Sequence, residues 1–186
     1  MSARISVAKV GCRCFVAVLA VVVGSASGFA QPTAAPPANL VTISEFIVTS
    51  GQPSAEWLAE LNVRGFAAVI YLAPPTVDDA VRDEPLIVAR QGLTFVNIPI
   101  RFDNPTDRDF EIFASVLRSL ASRKVLVHCQ INLRASAMTF LYRAIVLQEK
   151  PEVAYEAVAG VWTPNGAWKR FIDAQLARNG IAFAPL

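Results

Sequence analysis

Residues 125–136 have the sequence VLVHCQINLRAS and join an apolar run to a segment with helical periodicity. The run VLV is short and continuously apolar, which is typical of a strand buried within a parallel sheet. Over residues 135–147, apolar residues recur at the spacing of one helix face. The residues in between therefore lie at a helix N-terminus, where unpaired backbone N–H groups and the helix dipole favour anions. This position predicts an oxyanion-binding loop in which Cys129 acts as a thiolate.

Strand and helix patterns alternate on both sides of this loop. Strands are predicted at residues 46–49, 67–72, 95–100 and 124–128. Helices are predicted at residues 54–64, 76–91, 106–121, 135–147, 151–161 and 166–178. We expect Pro85 to break the second helix in two. The alternation predicts an α/β fold with a central, mostly parallel sheet of about four strands flanked by helices. Ligands bind such sheets at the carboxyl ends of the strands, where Cys129 lies.

The first thirty residues have the layout of a cleaved secretory signal. Three basic residues precede the apolar run 14–23, and small residues follow it. The run has about ten residues, whereas roughly twenty are needed to span a bilayer. We therefore expect residues 1–30 to be a signal peptide, 31–40 a flexible lead-in and 41–186 a single domain. The mature protein is then periplasmic or secreted without stable membrane insertion, and a retained anchor is the alternative.

Cleavage would change both the cysteine count and the charge. It would remove Cys12 and Cys14 and leave Cys129 beside the single histidine, His128. One cysteine excludes an intramolecular disulfide and a two-cysteine zinc site, and we expect no metal and no cofactor. The segment carries three basic and no acidic residues, so the formal charge falls from +2 to −1. Nucleic acid is therefore not an expected partner.

Five short segments share their order with one group of enzymes. They are SGQPS at 50–54, IPIRFDNPT at 98–106, HCQINLR at 128–134, LYR at 141–143 and W-x-P-N-x-x-W at 162–168. In these segments the chain resembles the cysteine-dependent protein-tyrosine and dual-specificity phosphatase superfamily. The resemblance is to small bacterial members related to the beta-lactamase-hydrolase-like phosphatases, and it covers roughly residue 41 to the C-terminus.

The resemblance implies hydrolysis of a phosphorylated small molecule or phosphoprotein. Cys129 would be the nucleophile and would form a phosphocysteine that water later breaks. The backbone N–H groups that would surround the phosphoryl oxygens belong to Gln130, Ile131, Asn132, Leu133 and Arg134. The Arg134 guanidinium would also bind two of these oxygens bidentately. His128 and Ser136 would support the loop, His128 by orienting it through a hydrogen bond to the backbone.

The resemblance also implies a general acid, which the family takes from an aspartate upstream of the nucleophile. Asp103 follows the third predicted strand and is the leading candidate, with Asp107 and Asp109 behind it. The alternative is a helix N-cap at Asp103 or Asn104.

The loop departs from the family's commonest pattern, and this keeps two other functions open. Four residues separate Cys129 from Arg134 where the usual loop has five. Asn132 replaces the usual glycine and is the next best residue at a positive φ, so we expect it to keep the turn feasible. Ala135 replaces the hydroxyl residue after the arginine, which predicts slow breakdown of a phosphocysteine. A four-residue loop also resembles the rhodaneses, whose cysteine carries a persulfide. A catalytically inactive oxyanion-binding module is the third possibility.

Overall fold

The β-prone runs form a mostly parallel sheet with one short strand added at its edge. The structure is a computed structural model that describes residues 33–184. Within these residues the strands are β1 Val41–Thr42, β2 Ile47–Ser50, β3 Ala68–Tyr71, β4 Thr94–Asn97 and β5 Val125–His128. They are ordered β1-β2-β5-β3-β4, with β1 antiparallel to β2 and every other pair parallel. The expected fold class is confirmed, and β1 is the strand that the patterns missed. The predicted signal peptide lies outside the described residues.

Helices connect these strands and extend beyond the last of them. In the described part of the chain they are α1 Ala55–Ala59, α2 Glu84–Ala89, α3 Asp107–Ser119, α4 Leu133–Leu141, α5 Pro151–Ala159 and α6 Gly166–Arg178. A π-helical segment, Tyr142–Val146, continues directly from the end of α4, so the predicted helix 135–147 is present in two pieces. None of the helices within residues 33–184 is long and apolar enough to cross a bilayer.

The helix predicted at residues 76–91 is present only from Glu84 onward. Pro85 lies in its first turn, the part of a helix that tolerates a residue without an N–H donor. Residues 74–83 form turns and irregular backbone instead. Proline thus begins the helix rather than dividing it, and the segment before it is a loop that follows β3.

The first helix is also shorter than its pattern predicted. Ser54 caps it, and its Oγ accepts a hydrogen bond of 3.2 Å from the backbone N–H of Trp57. The helix ends at Ala59 rather than near residue 64, and the chain continues in turns to Gly65, whose φ is 79°. A left-handed residue at this point lets the chain reverse into β3.

Apolar cores lie on both faces of the sheet, which explains the continuous apolar run in β5. Leu126 packs with Trp57 and Leu58 of α1 in one cluster. Val125 and Val127 point to the other face and belong to a larger cluster that includes residues of α3, α4, α5 and α6. Because β5 is buried on both faces and lies between β2 and β3, its carboxyl end is central in the sheet. His128 is level with Ser50 of β2 and Tyr71 of β3.

Candidate active site

The loop between β5 and α4 begins at Cys129 and ends at Asn132, which has a φ of 72°. Asn132 is the N-cap of α4, so the helix begins at Leu133 rather than at Ala135. A left-handed residue was predicted here, because asparagine adopts this conformation more readily than other non-glycine residues. Arg134 is therefore a residue of the first helical turn. The strand–loop–helix arrangement of the sequence prediction is confirmed.

A pocket of about 240 Å³ opens onto this loop. It is lined by Asp79, Phe102, Cys129, Gln130, Ile131, Leu133 and Arg134. Cys129 is buried and is the free cysteine of residues 33–184. The backbone N–H groups of Gln130, Ile131, Leu133 and Arg134 have no protein acceptor within the described residues. Such groups at a helix N-terminus are the donors that an oxyanion requires.

Arg134 is a buried cation that has no anionic partner among residues 33–184. The residue is 5% exposed, and its Nε donates a hydrogen bond of 3.0 Å to the carbonyl oxygen of Ile100. The guanidinium lies 5.1 Å from the ring centroid of Phe102. No carboxylate of the described chain forms a salt bridge with it. A buried charge is stable only when it is paired, so this site favours a ligand that brings negative charge.

His128 lies beneath the loop and is not among the residues that line the pocket. Its Nε2 is 2.6 Å from Oε1 of Glu84, and both side chains are buried. The other oxygen of Glu84 accepts a hydrogen bond of 3.0 Å from Gln52. Gln52 in turn donates its backbone N–H to the carbonyl oxygen of Gln130, at 2.8 Å. These bonds connect His128 to the loop through side chains, whereas the sequence suggested a direct bond to the backbone.

Tyr71 completes the packing around His128. The two rings are stacked, with centroids 4.7 Å apart. Burial, together with the charge of Glu84, raises the pKa of Tyr71 to about 12. Tyr71 therefore stays neutral at any physiological pH and serves as a packing surface.

Asn39, in the segment 31–40 that was predicted as a flexible lead-in, contacts the loop between β5 and α4. The side chain of Asn39 donates a hydrogen bond of 2.9 Å to the carbonyl oxygen of Ile131. Asn132 Nδ2 donates to the carbonyl oxygen of Asn39 at 2.6 Å and to Thr49 Oγ1 at 3.0 Å. Composition alone gave no sign of these contacts, because they join residues more than eighty positions apart.

Gly51 lies so close to the loop that a side chain has no room there. A Cβ at Gly51 would lie 2.8 Å from the carbonyl oxygen of Gln130 and 3.0 Å from that of Ala38. We expect Gly51→Ala to displace the loop, to cost about 1–3 kcal/mol of folding free energy and to weaken phosphate binding. Urea unfolding and calorimetry with inorganic phosphate measure the two effects.

Gly160→Ala is the matched control, because a Cβ at Gly160 would lie 3.5 Å from the nearest backbone oxygen, an ordinary contact. Equal stability and phosphate affinity in both alanine variants would show that the loop tolerates displacement at Gly51.

The aspartates predicted as general acids do not line the pocket. Asp103 is 70% exposed and forms an ion pair with Arg101, with Nη2–Oδ2 at 2.7 Å. The hydrogen bonds from Arg101 lower the pKa of Asp103 and so favour its ionised form. Asp107 forms an ion pair with Arg178, and both Asp103 and Asp107 line a different groove. The N-cap of α3 is Thr106, so the alternative prediction of a cap at Asp103 or Asn104 is wrong.

Asp109 has a structural function at the start of α3. Its Oδ2 accepts from the backbone N–H of Thr106 at 2.8 Å, and its own N–H donates to Thr106 Oγ1 at 3.2 Å. This reciprocal capping box satisfies two backbone donors of the first turn.

Ser136 and the two tryptophans lie behind the pocket. Ser136 Oγ donates to the carbonyl oxygen of Leu133 at 3.1 Å and accepts from Trp162 Nε1 at 3.3 Å. The ring centroids of Trp162 and Trp168 lie 6.1 and 5.9 Å from that of Phe102. The tryptophans thus support the aromatic residue that walls the pocket and do not line it themselves.

Three residues of the site were not found from the sequence: Asp79, Glu84 and Phe102. Asp79 and Phe102 follow β3 and β4, and position after a parallel strand is a signal that could have found them. Asp79 was missed because residues 76–91 were predicted as a helix and not as a loop after β3. Glu84 gave no local signal, because its partner His128 is 44 positions away. Within residues 33–184, no group of three or more potential ligands is arranged to hold a metal ion.

Comparison with known proteins places this geometry in a family. Residues 38–165, more than half of the chain, match the family described as "DSP-PTPase phosphatase fused to NAD+ Kinase". Two crystal structures of a candidate phosphatase of the DUF442 type from Shewanella putrefaciens CN-32 are similar to the chain. The first is 27% identical, with 76% of this chain and 91% of that chain covered. The second is 29% identical, with 77% of this chain and 94% of that chain covered. Each has a TM-score of 0.70. No curated protein matches the chain.

More distant structures share the fold. The core catalytic domain of the PP-IP phosphatase SIW14 from S. cerevisiae is 14% identical, with 80% of this chain and 96% of that chain covered and a TM-score of 0.63. TpbA from P. aeruginosa, in complex with phosphotyrosine, is 18% identical, with 80% and 94% covered and a TM-score of 0.60. The chain belongs to the cysteine-dependent protein-tyrosine and dual-specificity phosphatase superfamily and is a phosphoric monoester hydrolase of that type.

Proposed function

We propose that the chain hydrolyses phosphomonoesters through a phosphocysteine formed on Cys129. The observation that carries this proposal is Arg134, a buried guanidinium with no ion-pair partner among residues 33–184, which lines the same pocket as the buried Cys129. A phosphoryl group supplies the missing negative charge and accepts hydrogen bonds from the free N–H groups of the loop.

The chemistry then proceeds in two displacements. The Cys129 thiolate attacks phosphorus, and the bond to the leaving oxygen breaks as the sulfur–phosphorus bond forms. The leaving oxygen takes the bonding electrons and receives a proton from a general acid. Water then attacks the phosphocysteine, the thiolate leaves with the electrons of the sulfur–phosphorus bond, and inorganic phosphate is released. Arg134 and the loop N–H groups stabilise the charge on the oxygens in both steps.

The second displacement lacks help from a hydroxyl group. Ala135 follows the arginine and is buried, and the hydroxyl of Ser136 is bonded to Leu133 and Trp162. None of the described residues that line the pocket carries a hydroxyl. Slow loss of the phosphoryl group from Cys129 is therefore part of the proposal.

A rapid-mixing experiment with nitrophenyl phosphate tests the mechanism. We expect a burst of nitrophenol of about one equivalent per active site, followed by a slower steady state, because the first displacement outpaces the second. Phosphate covalently attached to Cys129 should be found by mass spectrometry after an acid quench during the steady state.

The same preparation with thiosulfate and cyanide addresses sulfur transfer, the alternative that the four-residue loop suggests. Thiocyanate production without release of nitrophenol would replace the phosphatase mechanism with a persulfide mechanism. Binding of inorganic phosphate without either turnover would indicate an inactive oxyanion-binding module.

The lining of the pocket favours substrates with a single phosphoryl group. Within residues 33–184, Arg134 is the one basic side chain that lines it, and Asp79 adds a carboxylate. A polyphosphorylated ligand would bring excess negative charge to this site. We therefore propose a small phosphomonoester or a phosphoprotein as the substrate.

Residues 1–30 lead us to propose export as well, and a mature N-terminus at Gln31 in the periplasm or medium would support it.

A further inference from the structure

Residues 33–39 form a strap that connects α1 to the loop between β5 and α4. At the first end of the strap, Glu60 Oε1 accepts hydrogen bonds from the backbone N–H groups of Thr33, at 2.8 Å, and Ala34, at 3.2 Å. Arg64 forms an ion pair with Glu60 and donates to the carbonyl oxygen of Ala34 at 3.1 Å. The strap is therefore anchored on a helix that does not belong to the pocket.

The other end of the strap is bonded to the loop in both directions. The carbonyl oxygen of Ala38 accepts from the backbone N–H of Gly51 at 2.7 Å. The Asn39 side chain donates to the carbonyl oxygen of Ile131 at 2.9 Å, and the Asn132 side chain donates back to the carbonyl oxygen of Asn39 at 2.6 Å. Asn39 has a φ of 51°, which asparagine adopts more readily than other non-glycine residues. Both its backbone and its side chain are thus held against the loop.

An oxyanion-binding loop must direct its carbonyl oxygens away from the ligand, because their partial negative charge repels an anion. The carbonyl oxygen of Gln130 accepts from the backbone N–H of Gln52 at 2.8 Å, and that of Ile131 accepts from Asn39. Neither Gln52 nor Asn39 lines the pocket. Two consecutive carbonyl groups of the loop are therefore directed to donors outside the site.

The peptide group between Ile131 and Asn132 has little else to fix its orientation. Ile131 is 52% exposed, so its side chain packs against little of the protein. Within residues 33–184, the Asn39 amide is the one hydrogen-bond donor that the carbonyl oxygen of Ile131 meets. Because a peptide group is planar, this single bond sets the direction of both its C=O and its N–H. Rotation of the group would bring a carbonyl oxygen toward the phosphoryl group.

We infer that Asn39 is a positioning residue of the phosphate-binding loop, which holds the Ile131 carbonyl group outside the site before a ligand arrives. The phosphoryl ligand in this inference rests on the function proposed above. Asn39 does not touch the ligand and acts through Ile131. A loop that is already in its binding conformation spends less of the binding free energy on ordering its own backbone.

Asn39→Gly tests the inference, with inorganic phosphate and nitrophenyl phosphate as the probes. Glycine adopts a φ of 51° without strain and keeps the carbonyl oxygen that accepts from Asn132, so the variant loses the amide donor alone. The dissociation constant of phosphate should rise about 3–10-fold, the factor that one net hydrogen bond provides. The KM for nitrophenyl phosphate should rise by the same factor. The kcat should change by less than about twofold, because the loop is already ordered around the covalent phosphoryl group.

Ser122→Gly is the matched control. Ser122 is also exposed, has a φ of 65° and lies in the turn before β5, and it does not line the pocket. Its replacement by glycine adds the same backbone freedom at a distance from the loop, so phosphate affinity and KM should equal those of the wild type. Thermal unfolding of both variants should stay within about 2 °C of the wild type.

The outcomes separate this inference from the mechanism. Wild-type phosphate affinity and KM in Asn39→Gly would overturn the inference and leave the phosphatase mechanism intact. A weaker affinity accompanied by a clearly lower unfolding temperature would also overturn it, because Asn39 would then stabilise the fold rather than the site. A wild type that released no nitrophenol would overturn the phosphatase mechanism. Calorimetry with phosphate alone would still decide whether Asn39 positions the loop.

Discussion

Cys129→Ser is expected to reduce nitrophenyl phosphate turnover more than about 100-fold while leaving the fold and phosphate binding intact. The hydroxyl is a far weaker nucleophile than a thiolate and remains protonated at neutral pH. The replacement removes little volume from the buried site and leaves the loop N–H groups and Arg134 in place. Stopped-flow release of nitrophenol, thermal unfolding and calorimetry with inorganic phosphate measure the three properties.

A second variant, Cys129→Ala, separates loss of the nucleophile from any chemistry of the serine. Both variants should be equally inactive, and neither should form the covalent phosphoenzyme. A residual rate above about a hundredth of the wild type in both would exclude covalent catalysis by this residue. The reaction would then have to proceed by direct attack of water in the same pocket.

The parts of the site that were predictable are those that local sequence determines. The run VLV, the left-handed Asn132 and the start of α4 depend on residues 125–136 alone, and each was confirmed or displaced by two residues at most. Hydrophobic pattern and backbone preference act over such short distances. The position of Cys129 at the carboxyl edge of a parallel sheet followed from the same signals.

The parts that were missed depend on contacts between distant segments. Glu84 meets His128 across 44 positions, and Asn39 meets Ile131 across 92. The sequence around Glu84 does not indicate that His128 is its partner, and the sequence around Asn39 does not indicate Ile131. Asp79 was missed for a different reason, because its segment was predicted as a helix and Pro85 was read as an interruption rather than as a beginning.

Arg134→Lys is expected to lower kcat/KM for aryl phosphates by about 10²–10³-fold although it conserves the charge. Arginine can donate from Nε to Ile100 and from Nη1 to Gln130 while further N–H groups of its terminal nitrogens remain available for two phosphoryl oxygens. A lysine side chain ends in a single nitrogen. It therefore cannot keep the hydrogen bond to the Ile100 carbonyl and bind two phosphoryl oxygens at the same time. It also loses the contact between the guanidinium and the Phe102 ring. Steady-state kinetics and inhibition by inorganic phosphate provide the measurements.

Arg143→Lys is the matched control for this change. Arg143 is also largely buried and also uses its fork, donating to Glu149 and to the carbonyl oxygen of Ala154. It lies beyond α4 in the π-helical segment and does not line the pocket. We expect this variant to lose stability and keep its catalytic rate. If Arg134→Lys lost stability alone in the same way, Arg134 would be a structural cation, and the missing anionic partner would have to be sought outside the pocket.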